Sequence, residues 1–483
     1  MGAVATNSIP LAAWAAASLL LAITGCKKAG GNGSASSPPA PAQPLFTHEE
    51  LKQQRLDWNK QTLVDAYEHA GYMNPWWDDA AERALKEFAR VRAQVLDTNE
   101  PWGKIIATNT AAAVKAGCKD PMVNYLFIRF SLDQTNSKET FTTAYFNMAQ
   151  EMEKSSYPDL RKFYASFRAV KQYYWANHYA KLPDDWRPLG QAAAADLQRV
   201  LADKSVPAGE IYDAASEYLE MWKTTKKYYQ PFYAALEQSL NNNWPNAPET
   251  FMLRGLAHVD MAWQERGGGY SDTVSSDGWK LFAKHLDQAD EALTQAWKMD
   301  PTDFRTPLLM MKVELGQGKG RDRLDLWFNR AMNLDPNNYE ACNMKLYYLE
   351  PKWYGSINDM LVFGRECVQN TNWGGEVPMI LIGAHNEIRS QFVSGDVRDN
   401  YWKQPEVWPD IQAAYERYFV ANSNADLNTA YNNYTMYAWN CGQWSKINEL
   451  VPKLNPVNYS IFGGKESYDS MLLLAREHTA KSP

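Results

Sequence analysis

The sequence predicts an all-α fold, an α-α superhelix built from antiparallel helix hairpins. From Phe46 onward, apolar residues recur at the spacing of one helix face in segment after segment. No stretch alternates apolar and polar residues over a useful length, and no Asn-Gly or Asp-Gly turn joins two such stretches, so we expect no β-sheet. Asp-Pro at residues 300–301 recurs at residues 335–336, 35 residues later, which is the period of a two-helix repeat.

The N-terminus has the pattern of an export and anchoring segment. Its first 25 residues carry no charged side chain, and an apolar run ends in Ile-Thr-Gly directly before Cys26. An apolar residue, two small residues and a cysteine in this order resemble a bacterial lipoprotein signal. The resemblance implies cleavage before Cys26 and acylation of that cysteine, for example with palmitate. A retained membrane anchor is the alternative, but the run is shorter than the ~20 residues of a spanning helix, and two lysines follow Cys26.

Two series of residues stand at matching distances before the two prolines. They are Ala289, Leu293 and Ala296 before Pro301, and Leu324, Phe328 and Ala331 before Pro336. Small residues on the second helix of a hairpin allow close approach, a large apolar residue fills the space between helices, and the proline ends the helix. This pattern resembles the tetratricopeptide repeat, from which Lys312 and Leu324 depart. Segments between residues 247 and 369 also resemble an uncharacterised family of bacterial lipoproteins containing this repeat, which implies no activity.

We predict five segments along the chain. Residues 1–25 form the lipoprotein signal peptide, and residues 26–45, rich in Gly, Ser, Pro and Ala, form a flexible, lipid-anchored tether. Residues 46–240 form helical hairpins without a recognisable motif, and residues 241–454 form the tetratricopeptide-like repeats. Residues 455–483 add a capping segment with one terminal helix. The folded part is too long for one ordinary compact core, which a repeat protein does not need.

The sequence carries no pattern typical of catalysis, and we predict that the chain is not an enzyme. None of the seven histidines pairs with another at i, i+4 spacing, so no metal site of recognisable type is expected. The glycines at residues 267–269 lack the Gly-Lys-Ser/Thr ending of a phosphate-binding loop. No nucleophile elbow or thiol-protease sequence is present. We expect no cofactor, and the net charge of −7 argues against nucleic acid as a partner.

The resemblance also predicts which residues face the groove of the superhelix. Members of the family often hold a partner's C-terminal carboxylate with Lys, Arg and Asn on the first helix of each hairpin. Of the matching positions in this chain only Asn343 fits, so we do not expect a carboxylate clamp. The matching positions are Thr306, Leu309 and Val313 in one unit, and Glu340, Asn343 and Tyr347 in the next.

We place the binding surface on two loops within hairpins and on the neighbouring groove positions. Such loops are expected on one edge of a superhelix. Trp and Tyr offer large contact area with few rotatable bonds, and Arg and Lys donate to carboxylates or hydroxyls. The alternative for Trp353 is that it folds back onto its own hairpin. The predicted binding residues are Arg266, Tyr270, Asn343, Tyr347, Lys352, Trp353 and Tyr354.

A disulfide between Cys342 and Cys367 is a further prediction. These cysteines lie on the two helices of one predicted hairpin, and their distances from the turn differ by three residues, ~4.5 Å at the helical rise. Thiols so placed can pair in an oxidising compartment. Free thiols that act as small buried hydrophobic groups are the alternative.

The signal, the tether and the repeats together predict a lipid-anchored protein of the bacterial cell envelope, on the periplasmic or surface face of the outer membrane. Its predicted role is to bind a protein or peptide partner as a scaffold or assembly factor. Two alternatives stay open. A glycan-binding outer-membrane lipoprotein would use exposed Trp and Tyr in the loops, and the chain has 19 Trp. An enzyme of unknown type would need a convergent polar cluster that the sequence does not reveal.

Overall fold

The chain is all-α wherever its structure, a computed structural model, describes it. No β-strand occurs in those residues, which confirms the predicted fold class at that level. Cys26 and the whole predicted tether lie outside the described residues. The described residues are 48–95, 101–132, 138–178, 182–223, 226–392, 395–423 and 427–480.

The described residues fall into two compact units, which divide between Thr302 and Asp303. This division falls within the predicted repeat segment, residues 241–454, and the limits of the predicted segments stay predictions. The helices of the first unit are α1 (His48–Lys60), α2 (Ala66–His69), α3 (Asp78–Arg92), α4 (Trp102–Lys115), α5 (Pro121–Phe130), α6 (Lys138–Lys154), α7 (Asp159–Ala176), α8 (Arg187–Ala202), α9 (Ala208–Trp222), α10 (Lys226–Asn243), α11 (Pro248–Arg266) and α12 (Ser276–Met299).

The second unit continues the same pattern of helices joined by short turns. Its helices are α13 (Arg305–Gln317), α14 (Arg321–Leu334), α15 (Tyr339–Tyr348), α16 (Ile357–Gln369), α17 (Ile380–Ser390), α18 (Asp396–Asp399), α19 (Val407–Ala421), α20 (Asn428–Asn440), α21 (Trp444–Leu450) and α22 (Lys465–Ala480). The terminal helix predicted from the sequence is α22, which packs against α21.

Helices α11 and α12 show how the repeat residues act in the first unit. Ala289, Leu293 and Ala296 of α12 are fully buried, as the pattern predicts. Opposite them, Gly255 of α11 leaves room for the leucine, because a Cβ there would lie only 2.4 Å from Cγ of Leu293. The helix ends at Met299, directly before the Asp-Pro pair. Close packing of this hairpin therefore depends on a glycine facing a leucine.

In the second unit an Asp-Pro pair again follows the end of a helix, and a later helix begins with a side-chain cap. Helix α14 ends at Leu334, directly before its own Asp-Pro pair, and its inward residues Phe328 and Ala331 are buried. Helix α16 begins after Ser356, whose hydroxyl accepts from Asp359 N at 3.1 Å and donates to the Asp359 carboxylate at 2.6 Å. This reciprocal cap satisfies a backbone N–H that the first helical turn leaves unpaired.

Candidate functional site

Helix α15 presents a polar face to solvent in the second unit. Glu340, Asn343 and Tyr347 are exposed and stand three and four positions apart, so they share one side of the helix. Cys342 and Leu346 lie on the other side and are buried. Tyr347 is 39% exposed. The three positions of α15 that the sequence places in a groove are therefore accessible.

The loop that follows α15 adds a cation to this face. Lys352 Nζ lies 4.4 Å from the centre of the Tyr347 ring, within the range of a cation–π contact, and 2.8 Å from an oxygen of Glu350. Partial burial lowers the pKa of Lys352, but Glu350 outweighs that effect and raises it above its ordinary value. Glu350 is 4% exposed, so it holds the ammonium in place while the lysine stays half exposed. We call Glu340, Asn343, Tyr347 and Lys352 the α15 surface.

Trp353 and Tyr354 have different roles in the structure, although the sequence predicts that both bind a partner. The Tyr354 hydroxyl donates to the Leu315 carbonyl at 3.2 Å, and the ring packs so close that a Cβ at Gly318 would lie 2.6 Å from that hydroxyl. Tyr354 therefore anchors the loop to the end of α13. Trp353 is half buried, with its ring 5.7 Å from that of Tyr347. Trp353 therefore packs against Tyr347 of the α15 surface, and part of its own side chain stays accessible to solvent.

The other predicted loop lies in the first unit. Arg266 donates to the carbonyls of Gly267 and Gly269, both at 3.1 Å, and its guanidinium lies over the rings of Trp263 and Trp279. Arg266 thus organises its own loop. Tyr270 at the tip of that loop is 86% exposed. The structure places these two residues in a different unit from the α15 surface.

The groove positions predicted for α13 are wrong. Thr306, Leu309 and Val313 are at most 4% exposed and belong to the core of the second unit. Helix α13 packs against both α14 and α15, so most of its circumference is covered. Lys312, a residue that departs from the repeat motif, is partly exposed, and its Nζ lies 3.6 Å from Glu340 on α15.

Cys342 and Cys367 are free, buried thiols in the structure, which is the alternative state considered for them. The two thiols are close enough for Cys342 to affect the pKa of Cys367, while Cys342 Sγ itself donates to Met332 Sδ at 3.6 Å. Burial raises the pKa of the Cys367 thiol, and Cys342 raises it further. A protonated, buried thiol reacts slowly. The disulfide itself stays a prediction.

A buried charge cluster in the first unit joins helices that lie far apart in sequence. Glu210 of α9 accepts hydrogen bonds from Arg55 Nε of α1 at 2.7 Å, Asn59 Nδ2 at 2.9 Å and Arg92 Nε of α3 at 3.1 Å. Asp213, one turn further along α9, pairs with Arg55 and lies 3.2 Å from Arg92. We call these five residues the Arg-Glu cluster.

The Arg-Glu cluster is arranged to hold helices together rather than to carry out proton transfer. Burial alone would raise the pKa of Glu210, but Arg55 and Arg92 outweigh it and hold that pKa well below its ordinary value. Both carboxylate oxygens already accept hydrogen bonds. Glu210 is therefore ionised and fully engaged, and it fixes α1 and α3 against α9.

His258 of α11 and His285 of α12 form a pair that the sequence analysis missed. Their Nδ1 atoms lie 2.9 Å apart and their rings stack with centres 5.2 Å apart. One Nδ1 donates and the other accepts, so the accepting Nδ1 must be unprotonated and its ring neutral. Burial lowers the pKa of His258 to about 4, helped by His285, and burial also lowers that of His285. Among the described residues, no three His, Cys, Asp or Glu side chains converge to hold a metal ion.

Within the described ranges, no helix combines the length and apolar character needed to cross a membrane. Cys26, the predicted site of lipidation, lies outside those ranges. Comparisons with protein-family models, with curated proteins and with solved structures found no match to this chain.

Proposed function

We propose that this chain is a lipid-anchored, tetratricopeptide-like protein of the bacterial cell envelope whose helical superhelix binds a peptide segment of a partner protein. The observation that carries the proposal is the Lys352 ammonium held 4.4 Å above the ring of the exposed Tyr347. An aromatic ring on a helix, with a cation already held beside it by a buried carboxylate, loses little conformational entropy when a partner binds. They form the kind of anchor on which binding energy concentrates.

The α15 surface favours a particular peptide chemistry. Tyr347, backed by Trp353, offers apolar contact to a large side chain, and Lys352 donates to a carboxylate. Asn343 stands one turn before Tyr347 and offers both an amide donor and an acceptor to peptide main chain. These groups together fit an extended segment in which an acidic residue neighbours an aromatic or aliphatic one.

The sequence patterns supply the rest of the proposal. Repeats of two helices bury their apolar faces against neighbouring repeats, which supports a superhelix with one accessible concave side. A lipid on Cys26 attaches the chain to a membrane, and a tether of the composition of residues 26–45 spans a root-mean-square distance of about 25 Å. That reach gives the folded part room to meet a partner near the membrane surface.

The proposal is tested by selecting peptides from a displayed random library against the full chain and measuring their affinity for variants. Tyr347→Ala and Lys352→Ala should each cost about 2 kcal/mol, roughly 30-fold in Kd. Tyr459 and Lys465 provide a matched control, since Tyr459 is also 39% exposed and Lys465 Nζ lies 6.0 Å from its ring. Tyr459→Ala should leave the affinity unchanged. Equal losses for both tyrosines, or none for Tyr347→Ala, would count against the α15 surface.

The glycan-binding alternative is resolved with one further variant, Tyr270→Ala. Exposed aromatic rings such as Tyr270 and Tyr347 also suit sugar rings. If the chain binds soluble oligosaccharides and Tyr270→Ala abolishes that binding while selected peptides show none, the glycan function replaces the peptide function. Peptide binding without oligosaccharide binding supports the proposal.

A further inference from the structure

A small cavity in the first unit lies between α3, α5 and α7. It encloses about 10 Å³, the room that one water-sized particle needs. Three arginines line it, Arg92, Arg129 and Arg161, and none of the described residues in its wall is acidic. The rest of the wall consists of one methionine and three aromatic side chains, Met122, Phe88, Tyr125 and Tyr164. The cavity therefore suits a particle of one heavy atom in positively charged surroundings.

The charged ends of two of these arginines contact the cavity wall. Arg92 Nη2 donates to the Tyr164 hydroxyl at 3.0 Å. Arg129 Nη1 donates to the Tyr125 hydroxyl at 3.3 Å. Burial alone would raise the pKa of Tyr125, but neighbouring arginines, Arg168 and Arg129 foremost, outweigh burial and lower that pKa. The electrostatic potential at this buried tyrosine is therefore positive.

Arg161 carries a buried charge without a direct counter-ion. The residue is 2% exposed. Its Nη2 donates at 2.7 Å to two uncharged groups, the Asn59 amide oxygen and the Thr62 hydroxyl, and its Nε has no partner among the described residues. Burial lowers the pKa of Arg161 to about 10, because Glu210 offsets the effect of burial only in part. Buried charges are normally paired, so Arg161 offers both a charge and a donor to an anion.

The adjoining Arg-Glu cluster does not supply that counter-ion. Its two carboxylates, Glu210 and Asp213, already pair with Arg55 and Arg92. Counted together with Arg161, three guanidinium groups share two carboxylates, which leaves one positive charge in excess. One monovalent anion beside Arg161 balances these charges.

We propose that this cavity binds one chloride ion, with Arg161 Nε and the hydroxyls of Tyr125 and Tyr164 as its hydrogen-bond donors. Neither hydroxyl donates a hydrogen bond to a described residue, since each accepts from its arginine. Burial raises the pKa of Tyr164, so that hydroxyl keeps its proton. The peptide-binding proposal is independent of this site, because the α15 surface belongs to the second unit.

Size and charge together select chloride. The cavity is too small for phosphate or a carboxylate, and the excess positive charge favours an anion over a water molecule. Chloride is slightly larger than water, and the side chain of Arg129, which is partly exposed, can shift to admit it.

The test follows thermal unfolding of the full-length chain by circular dichroism while chloride replaces gluconate, at one pH and a constant ionic strength of about 0.15 M. Gluconate is too large for the cavity and supplies the reference. We expect the Tm to rise and then level off, by about 3–6 °C once chloride reaches about ten times its Kd. A rise that levels off indicates a binding site, whereas a general salt effect continues to grow.

Variants separate chloride binding from a purely structural role of the arginine. Arg161→Met removes the unpaired charge, so it should lower the Tm more in chloride than in gluconate and should abolish the chloride dependence. Tyr125→Phe keeps the ring and removes one donor, so it should raise the chloride concentration at half-saturation about fivefold. Arg83→Met, at an exposed arginine paired with Asp79, is the matched control and should keep the full dependence.

Tyr125→Phe keeps the test decisive if Arg161→Met does not fold. Equal Tm values in chloride and gluconate would show that water fills the cavity and would overturn the assignment. A rise that never levels off, or a chloride dependence that is unchanged in Tyr125→Phe or in a folded Arg161→Met, would overturn it as well.

Discussion

Glu210→Gln is expected to destabilise the first unit by about 3–5 kcal/mol. The Glu210 side chain is fully buried, and those of Arg55 and Arg92 are only 9% and 11% exposed. Water therefore cannot solvate the two guanidinium groups in place of the lost carboxylate. Glutamine keeps the volume but turns one acceptor oxygen into a donor that faces a guanidinium. Asp213 then remains as the one carboxylate of the Arg-Glu cluster for two buried arginines. The loss of a buried, hydrogen-bonded charge dominates the change.

Thermal unfolding followed by circular dichroism measures this effect. A loss of that size lowers the Tm by about 6–20 °C for a unit of this length. Glu151→Gln is the control, because Glu151 is 58% exposed and pairs with the exposed Lys154, so we expect a change within about 0.5 kcal/mol. A Glu210→Gln variant within about 1 kcal/mol of the parent would refute the idea that this cluster fixes α1 and α3 on α9.

Three further predictions concern pH, the α15 surface and the anchor. Because folding lowers the pKa values of His258 and His285, the free energy of unfolding should be highest above pH 6.5 and should fall by about 1–2 kcal/mol, after allowance for solvent, as the pH drops toward 4. Urea unfolding midpoints should show this loss, and His285→Gln should reduce it. Trp353→Ala should lower the free energy of unfolding by about 1–2 kcal/mol, since the ring is half buried, and should also weaken peptide binding. A loss above about 3 kcal/mol with unchanged peptide binding would show that Trp353 is purely structural. Cys26→Ala should release the chain from membranes or leave it unprocessed in cell fractionation, whereas unchanged membrane attachment with normal processing would contradict the lipoprotein prediction.

Features encoded by local spacing could be predicted from the sequence. Ala289, Leu293 and Ala296 are fully buried because their spacing sets one face of a helix, and the following Asp-Pro pair ends that helix. The exposure of Asn343 and Tyr347 follows from the same helical geometry. Local periodicity therefore gives the elements and their inner faces.

Contacts between distant segments could not be predicted in this way. Arg55 and Glu210 are 155 positions apart, and no local pattern connects them. His258 and His285 are 27 positions apart on two helices of one hairpin, whereas i, i+4 spacing relates only residues within a single helix. The prediction that residues of α13 such as Leu309 face a groove was wrong for a related reason. A motif gives the register of a helix, but how many neighbours cover that helix is a tertiary property.

The peptide-binding function of the α15 surface is tested most directly by hydrogen–deuterium exchange of the full chain with and without a library-selected peptide. Backbone amides of residues 339–356 should exchange more slowly in the complex, because the peptide covers α15 and the loop that carries Lys352. The Tyr347→Ala variant should lose that protection while the exchange of the first unit stays unchanged. Protection that appears elsewhere, with residues 339–356 exchanging as in the free chain, would contradict the proposed function.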